Sequence, residues 1–189
     1  DQFLRAQFPE VEAVPYEKLH PFLKRLVDDH RRIVERLDAL DATVAQVEKS
    51  GLSPEAGAAI TGFFAFADAE LAAHHRREER RLFPLLRERL IAAGEHSASD
   101  QKRTGVDVME DDHLTALKQA AVAVAFIGLS TRLPDQKSGL VALASGVRQC
   151  KTMSEALRLH IFREENIIFG QAQKHLSGAE LDRITVEQG

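Results

Sequence analysis

One cysteine in 189 residues excludes an internal disulfide framework and a cysteine-built zinc site. A reducing cytoplasm is the setting this implies. Long apolar runs are missing as well: the longest, residues 120–129, falls well short of the roughly 20 residues that a membrane span needs. No charged-then-apolar segment of the signal-peptide kind opens the chain, so a soluble protein with no membrane partner is expected. Charge of one sign is scarce too, since the formal net charge is only -4 and gives no electrostatic reason to bind nucleic acid. The one basic cluster, Arg76, Arg77, Arg80 and Arg81, is interleaved with Glu78 and Glu79 and reads as a solvated helix face. Finally, the period-two alternation that marks half-buried strands is absent.

What is present is helical periodicity. With 44% hydrophobic and 29% charged residues the composition suits one soluble globular domain with its own core. From about residue 16 to 49, apolar positions recur at helical intervals: Leu19, Leu23, Leu26, His30, Ile33, Leu37, Leu40, Val44 and Val47. Gly51 stops that helix, and Ser53, Pro54 and Glu55 supply an N-cap, a first-turn proline and a first-turn acid for the next. The second helix runs to about residue 93 with a stripe of Ile60, Phe63, Ala67, Leu71, His74, Glu78, Leu82 and Leu85, and it must tolerate or bend at Pro84. A polar loop over 94–105 precedes a third helix, about 106–129, with Val106, Met109, His113, Leu117, Ala120, Val124 and Ile127 on one face. The fourth spans about 134–175, facing inward with Leu140, Leu143, Val147, Cys150, Met153, Leu157, His160, Glu164 and Ile167. On that stripe Cys150 reads as a small core residue. The pattern predicts an all-α, antiparallel up-down-up-down four-helix bundle over residues 16–176, an N-terminal arm over 1–15, and a tail over 177–189 with a short helix.

One long motif occurs twice. Asp28-Asp29-His30 is followed by His74-x3-Glu78-Glu79-x3-Phe83, and Asp111-Asp112-His113 by His160-x3-Glu164-Glu165-x3-Phe169. Residues four apart on a helix lie about 40° apart around the axis and one turn along it, so each His-x3-Glu pair reaches toward a common point. Each pair also continues an apolar stripe, which turns an imidazole and a carboxylate toward the interior. An unpaired buried carboxylate costs several kcal/mol, so it normally has a partner or a metal. Four inward histidines and two glutamates carry enough nitrogen and oxygen for two metal ions, and such ligands suit iron better than a thiolate-seeking metal. The candidate metal ligands are therefore His30, His74, Glu78, His113, His160 and Glu164.

His75 with Glu79 offers the same spacing in another register, but the repeat aligns His74 with His160 and sets His75 against Ile161, so His75 reads as a rim histidine, with a supplementary ligand as the alternative. The aspartates before His30 and His113 could accept from outer imidazole nitrogens. Most read as surface charge, because adjacent helical positions point about 100° apart and Asp29 cannot easily serve His30 itself. Glu17-x-x-His20 and Glu110-x-x-His113 have the spacing of ferritin-type carboxylate bundles, yet they are not equivalent within the repeat.

These residues resemble the hemerythrin-like, or HHE cation-binding, family over about residues 16–172. The resemblance implies a non-haem di-iron centre of two iron ions, oxo- or hydroxo-bridged, with Glu78 and Glu164 bridging and the four histidines as terminal ligands. The chain departs from oxygen carriers, which have five histidines and a His-x3-His element where this chain has Glu78, and looks closer to bacterial four-histidine proteins associated with iron-centre repair. The implied function is binding, sensing or reacting with a small diatomic ligand, oxygen or nitric oxide, or with peroxide in a stress response. A reversible oxygen or iron store without turnover, or a metal-stabilised interaction module, are the alternatives the residues leave open. Whether the chain is an enzyme is open too.

Overall fold

The computed structural model describes residues 13–186, which takes in the end of the expected N-terminal arm; its first twelve residues lie outside the described residues. After a 3-10 turn at Tyr16–Lys18, helix α1 runs Pro21–Ser50, α2 Pro54–Ala92, α3 Gly105–Ser130, α4 136–175 and α5 Gly178–Val186. The described residues contain no strand, so the all-α expectation holds, and α5 is the expected tail helix.

Local chemistry sets the helix ends. Gly51 closes α1 in the left-handed region at φ 83°, where a Cβ would be strained. Ser53 then accepts a hydrogen bond from the Ala56 N–H at 3.2 Å with Pro54 in the first turn, as the spacing predicts. At the start of α3 the Thr104 N–H and hydroxyl both donate to Asp107, at 2.7 and 2.8 Å, so the backbone group left over by the helix is satisfied. Ser177 and Glu180 cap α5 reciprocally, the Ser177 N–H donating to the Glu180 carboxylate and the Glu180 N–H to the Ser177 hydroxyl.

The chain divides into two compact units. The first comprises Asp1–Arg31, His74–Glu110 and His160–Gly189. Its core joins Leu23, Leu26, Leu82, Phe83, Leu86, Leu90, Met109, Phe169 and Ala172, with Leu181 and Ile184 of α5 packed in. The second comprises Arg32–Ala73 and Asp111–Leu159, with Ile33, Leu37, Phe63, Ala123, Val147, Cys150 and Met153 among its buried residues. Burial there, with the nearby Asp41 carboxylate, pushes the Cys150 thiol up to about 11.

All nine residues of the first stripe are buried, Leu19 just ahead of α1 and the other eight on it. Elsewhere the register slips. In α3 Leu117 and Val124 are exposed at 66% and 49%, and Ala116 and Ala123 face inward instead. The cause is a close helix approach: a Cβ on Gly146 of α4 would sit 3.0 Å from the Ile127 backbone nitrogen and 3.3 Å from the Ala123 carbonyl, leaving room only for small side chains. Leu140, expected on the inner face of α4, is 56% exposed. In α2, Phe83, Leu86 and Leu90 are buried while Leu85 is only partly so. That shift follows a π turn at Glu78–Leu82, whose extra residue advances everything after it. Pro84 is not its origin, because α4 carries the same turn at Glu164–Ile168 without a proline.

Candidate metal centre

Of the three π turns among the described residues, at Ala67–Leu71, Glu78–Leu82 and Glu164–Ile168, two open on the repeated glutamates, and single π turns concentrate at functional sites. Five of the six candidate ligands, His30, His74, Glu78, His160 and Glu164, belong to the first unit. All five are buried, the two glutamates at 0% exposure. His113, the sixth, is buried on α3 within the second unit.

Four of the five converge. Ligand atoms of His30, His74, Glu78 and Glu164 all lie within 4.8 Å of one another. The Nε2 atoms of His30 and His74 are 3.1 Å apart. His74 Nε2 is 2.9 Å from Glu78 Oε1, and His30 Nε2 is 3.1 Å from Glu164 Oε2. His160 reaches the same Glu164 oxygen at 3.4 Å. Glu164 thus stands between imidazoles from α1 and from its own helix.

The outer ring nitrogens explain the orientation. His30 Nδ1 donates to Glu165 Oε1 at 2.9 Å, and His74 Nδ1 faces Asp29 Oδ2 at 3.5 Å. Asp29 is held in turn by Arg77. A carboxylate can only accept, so each Nδ1 must carry hydrogen, and in the neutral ring that a metal needs each Nε2 presents its lone pair inward. Two imidazole nitrogens bound side by side to one metal at about 2 Å each stand about 3 Å apart, which is the spacing of His30 and His74. Phe169 lies parallel to the His30 ring, centroids 5.7 Å apart, and closes that side of the group. The residues therefore fit a cation.

Without a cation the electrostatics are unbalanced, and protons compensate. Burial alone pulls the His74 pKa down, but the Glu78 carboxylate and the bond to Asp29 more than offset it and raise it to about 9. His30 is raised against burial by its bonds to Glu164 and Glu165. Burial and the Glu78 charge push the Glu164 carboxyl up, yet His160 and His30 outweigh them and hold it below the ordinary carboxylate range.

Asp29 and Glu165 were legible only in part. Asp29 serves an imidazole on another helix, His74, so the objection that it cannot serve its neighbour His30 stands without excluding the role. Glu165 follows the ligand glutamate in the repeat, the one hint available. His75 is half-buried, its ring edge-on to His160 with centroids 5.8 Å apart. The ferritin-type spacings lead elsewhere: His20 pairs with Asp182, and Glu110 with Arg87.

Asp29→Asn and Glu165→Gln should each weaken metal affinity about tenfold to a hundredfold, the usual cost of losing a group that orients a ligand. Competition with a chelator measures this, and unchanged affinity in both variants would remove the assigned role.

Buried histidines and carboxylates projecting from long helices onto one point define a metal-binding helical protein. The chain belongs to the hemerythrin HHE cation binding domain family, whose model matches residues 22–172. Such domains bind metal cations, typically iron. No curated protein matches the chain.

Proposed function

We propose that the chain is a non-haem di-iron protein that binds, senses or reacts with oxygen, nitric oxide or peroxide. The observation that carries this reading is the pair of imidazole Nε2 atoms 3.1 Å apart, each facing a fully buried carboxylate. Glu78 and Glu164 would be the bridging carboxylates, with His30, His74, His113 and His160 as terminal ligands. Iron held there would supply exchangeable electrons and open positions for a small molecule. The chain's own residues do the remainder. Asp29 and Glu165 keep the ring tautomers fixed, and the Phe169 ring keeps water from the His30 side.

Metal content and visible absorption under anaerobic conditions, air and nitric oxide test the proposal. About two irons per chain are expected, as in di-iron carboxylate bundles, with a spectrum that responds to at least one gas. An iron-loaded sample indifferent to oxygen, nitric oxide and peroxide would overturn it. Gas consumption separates turnover from reversible storage.

A pH dependence follows from His74. In the metal-free protein its folded pKa, about 9, exceeds the unfolded value of about 6.5. Its contribution to stability is then fully present below about 6.5 and lost as pH rises through 9. Metal binding needs the neutral ring and releases that proton. The gap in melting temperature between metal-loaded and metal-free protein should therefore widen from pH 6.5 to 9; a constant gap counts against His74 as a ligand.

A further inference from the structure

Helix α3 leaves its greasiest surface uncovered. Of its most apolar stretch only 17% is buried. Leu114, Leu117, Val122, Val124, Phe126 and Leu129 are all exposed, at 37–66%. Lys118 is the only charge between Leu114 and Ser130. Scattered surface leucines are ordinary, but a contiguous apolar helix face marks an interaction site.

The order of residues along this face says what fits it. Asp111, Leu114, Lys118, Ala121, Ala125, Leu129 and, in the turn just beyond the helix, Arg132 follow one another at steps of three and four, the seam spacing of two helices packed side by side. Read from either end, the seam complements itself. An acid opens it and a base closes it, a leucine sits one turn in from each, and Lys118 with the small Ala121 and Ala125 fills the middle. The Arg132 Nε donates to the Gly128 carbonyl at 2.9 Å, which ties the guanidinium to the end of the helix.

We propose that this face of α3 pairs antiparallel with the same face of a second copy of the chain. The twofold axis passes beside Ala121 and Val122. Asp111 then meets Arg132 of the partner subunit, and Leu114 meets Leu129 of the partner subunit, each contact occurring twice as an isologous interface requires. Ala121 and Ala125 let the two backbones approach. Lys118 lays its aliphatic stem over the small residues and keeps its ammonium in water. A lipid surface would gain nothing from opposite charges at the two ends of the face, whereas an inverted copy is held in register by them.

Sedimentation velocity on the full chain, from low to high micromolar concentration, is the test. The unaltered chain is expected to be dimeric and Leu129→Glu monomeric with unchanged helical circular dichroism. Asp111→Arg and Arg132→Asp should each weaken association about tenfold or more, and the double exchange should restore it with the signs reversed. That rescue distinguishes a paired contact from mere loss of folding. A monomer at high micromolar concentration, a dimer indifferent to Leu129→Glu and to both charge reversals, or a monomer that co-sediments with phosphatidylcholine vesicles would overturn the proposal.

Discussion

Glu164→Ala should empty the metal centre and bring the melting temperature of metal-loaded protein down to that of the chelated form. Glu164 is completely buried and two imidazoles share it, His30 at 3.1 Å and His160 at 3.4 Å. Removing it takes away the charge that makes the pocket attractive to a cation and the oxygen that connects helices α1 and α4. Metal present at a thousand times its dissociation constant stabilises the fold by about 4 kcal/mol. For a chain of this size that corresponds to roughly 8–16 °C in melting temperature. Glu164→Gln, which keeps the volume and loses the charge, should fail in the same way. Elemental analysis with thermal unfolding checks both variants, and a Glu164→Ala protein that keeps its metal and its melting temperature would refute the assignment.

The second large effect belongs to Phe169. Its side chain is fully buried in the core of the first unit, and truncating such a phenylalanine costs about 3–5 kcal/mol, or about 6–20 °C here. It is also the floor on which the His30 ring rests. Phe169→Ala should therefore lose stability and metal affinity together. Leu86→Ala, in the same core and two turns beyond Glu78, should lose about 2–5 kcal/mol while retaining the metal. If the two variants hold metal equally well, the ring contact has no role in the site.

How much of this was readable in the residues depended on what marked the outside of each helix. In α1, charged positions alternate with the stripe so regularly that the sequence marks its inward face throughout. The second half of α3 has almost nothing polar to mark its surface, so hydropathy could not tell which of two apolar faces turns inward. Size decided it where α3 meets Gly146 of α4, because Ala123 fits in that close approach and the bulkier Val124 turns outward, and no periodicity records that. Leu85 departs from its stripe for another reason: a 3.6-residue period cannot register the additional residue that a π turn accommodates. The convergence of His30, His74, Glu78 and Glu164 was legible because the repeat supplied two independent copies of one geometry. Asp29 and Glu165 were harder, since each orients an imidazole carried by another helix, and spacing along one helix says nothing about its neighbours.

The buried thiol of Cys150 has a practical consequence. A sulfur fully enclosed and with its ionisation pushed up to about 11 offers almost no thiolate to an alkylating reagent at neutral pH. The chain thus arrives with a silent background for spectroscopic tagging: one cysteine introduced on an outward position would take a maleimide fluorophore or nitroxide by itself, without first deleting the native residue.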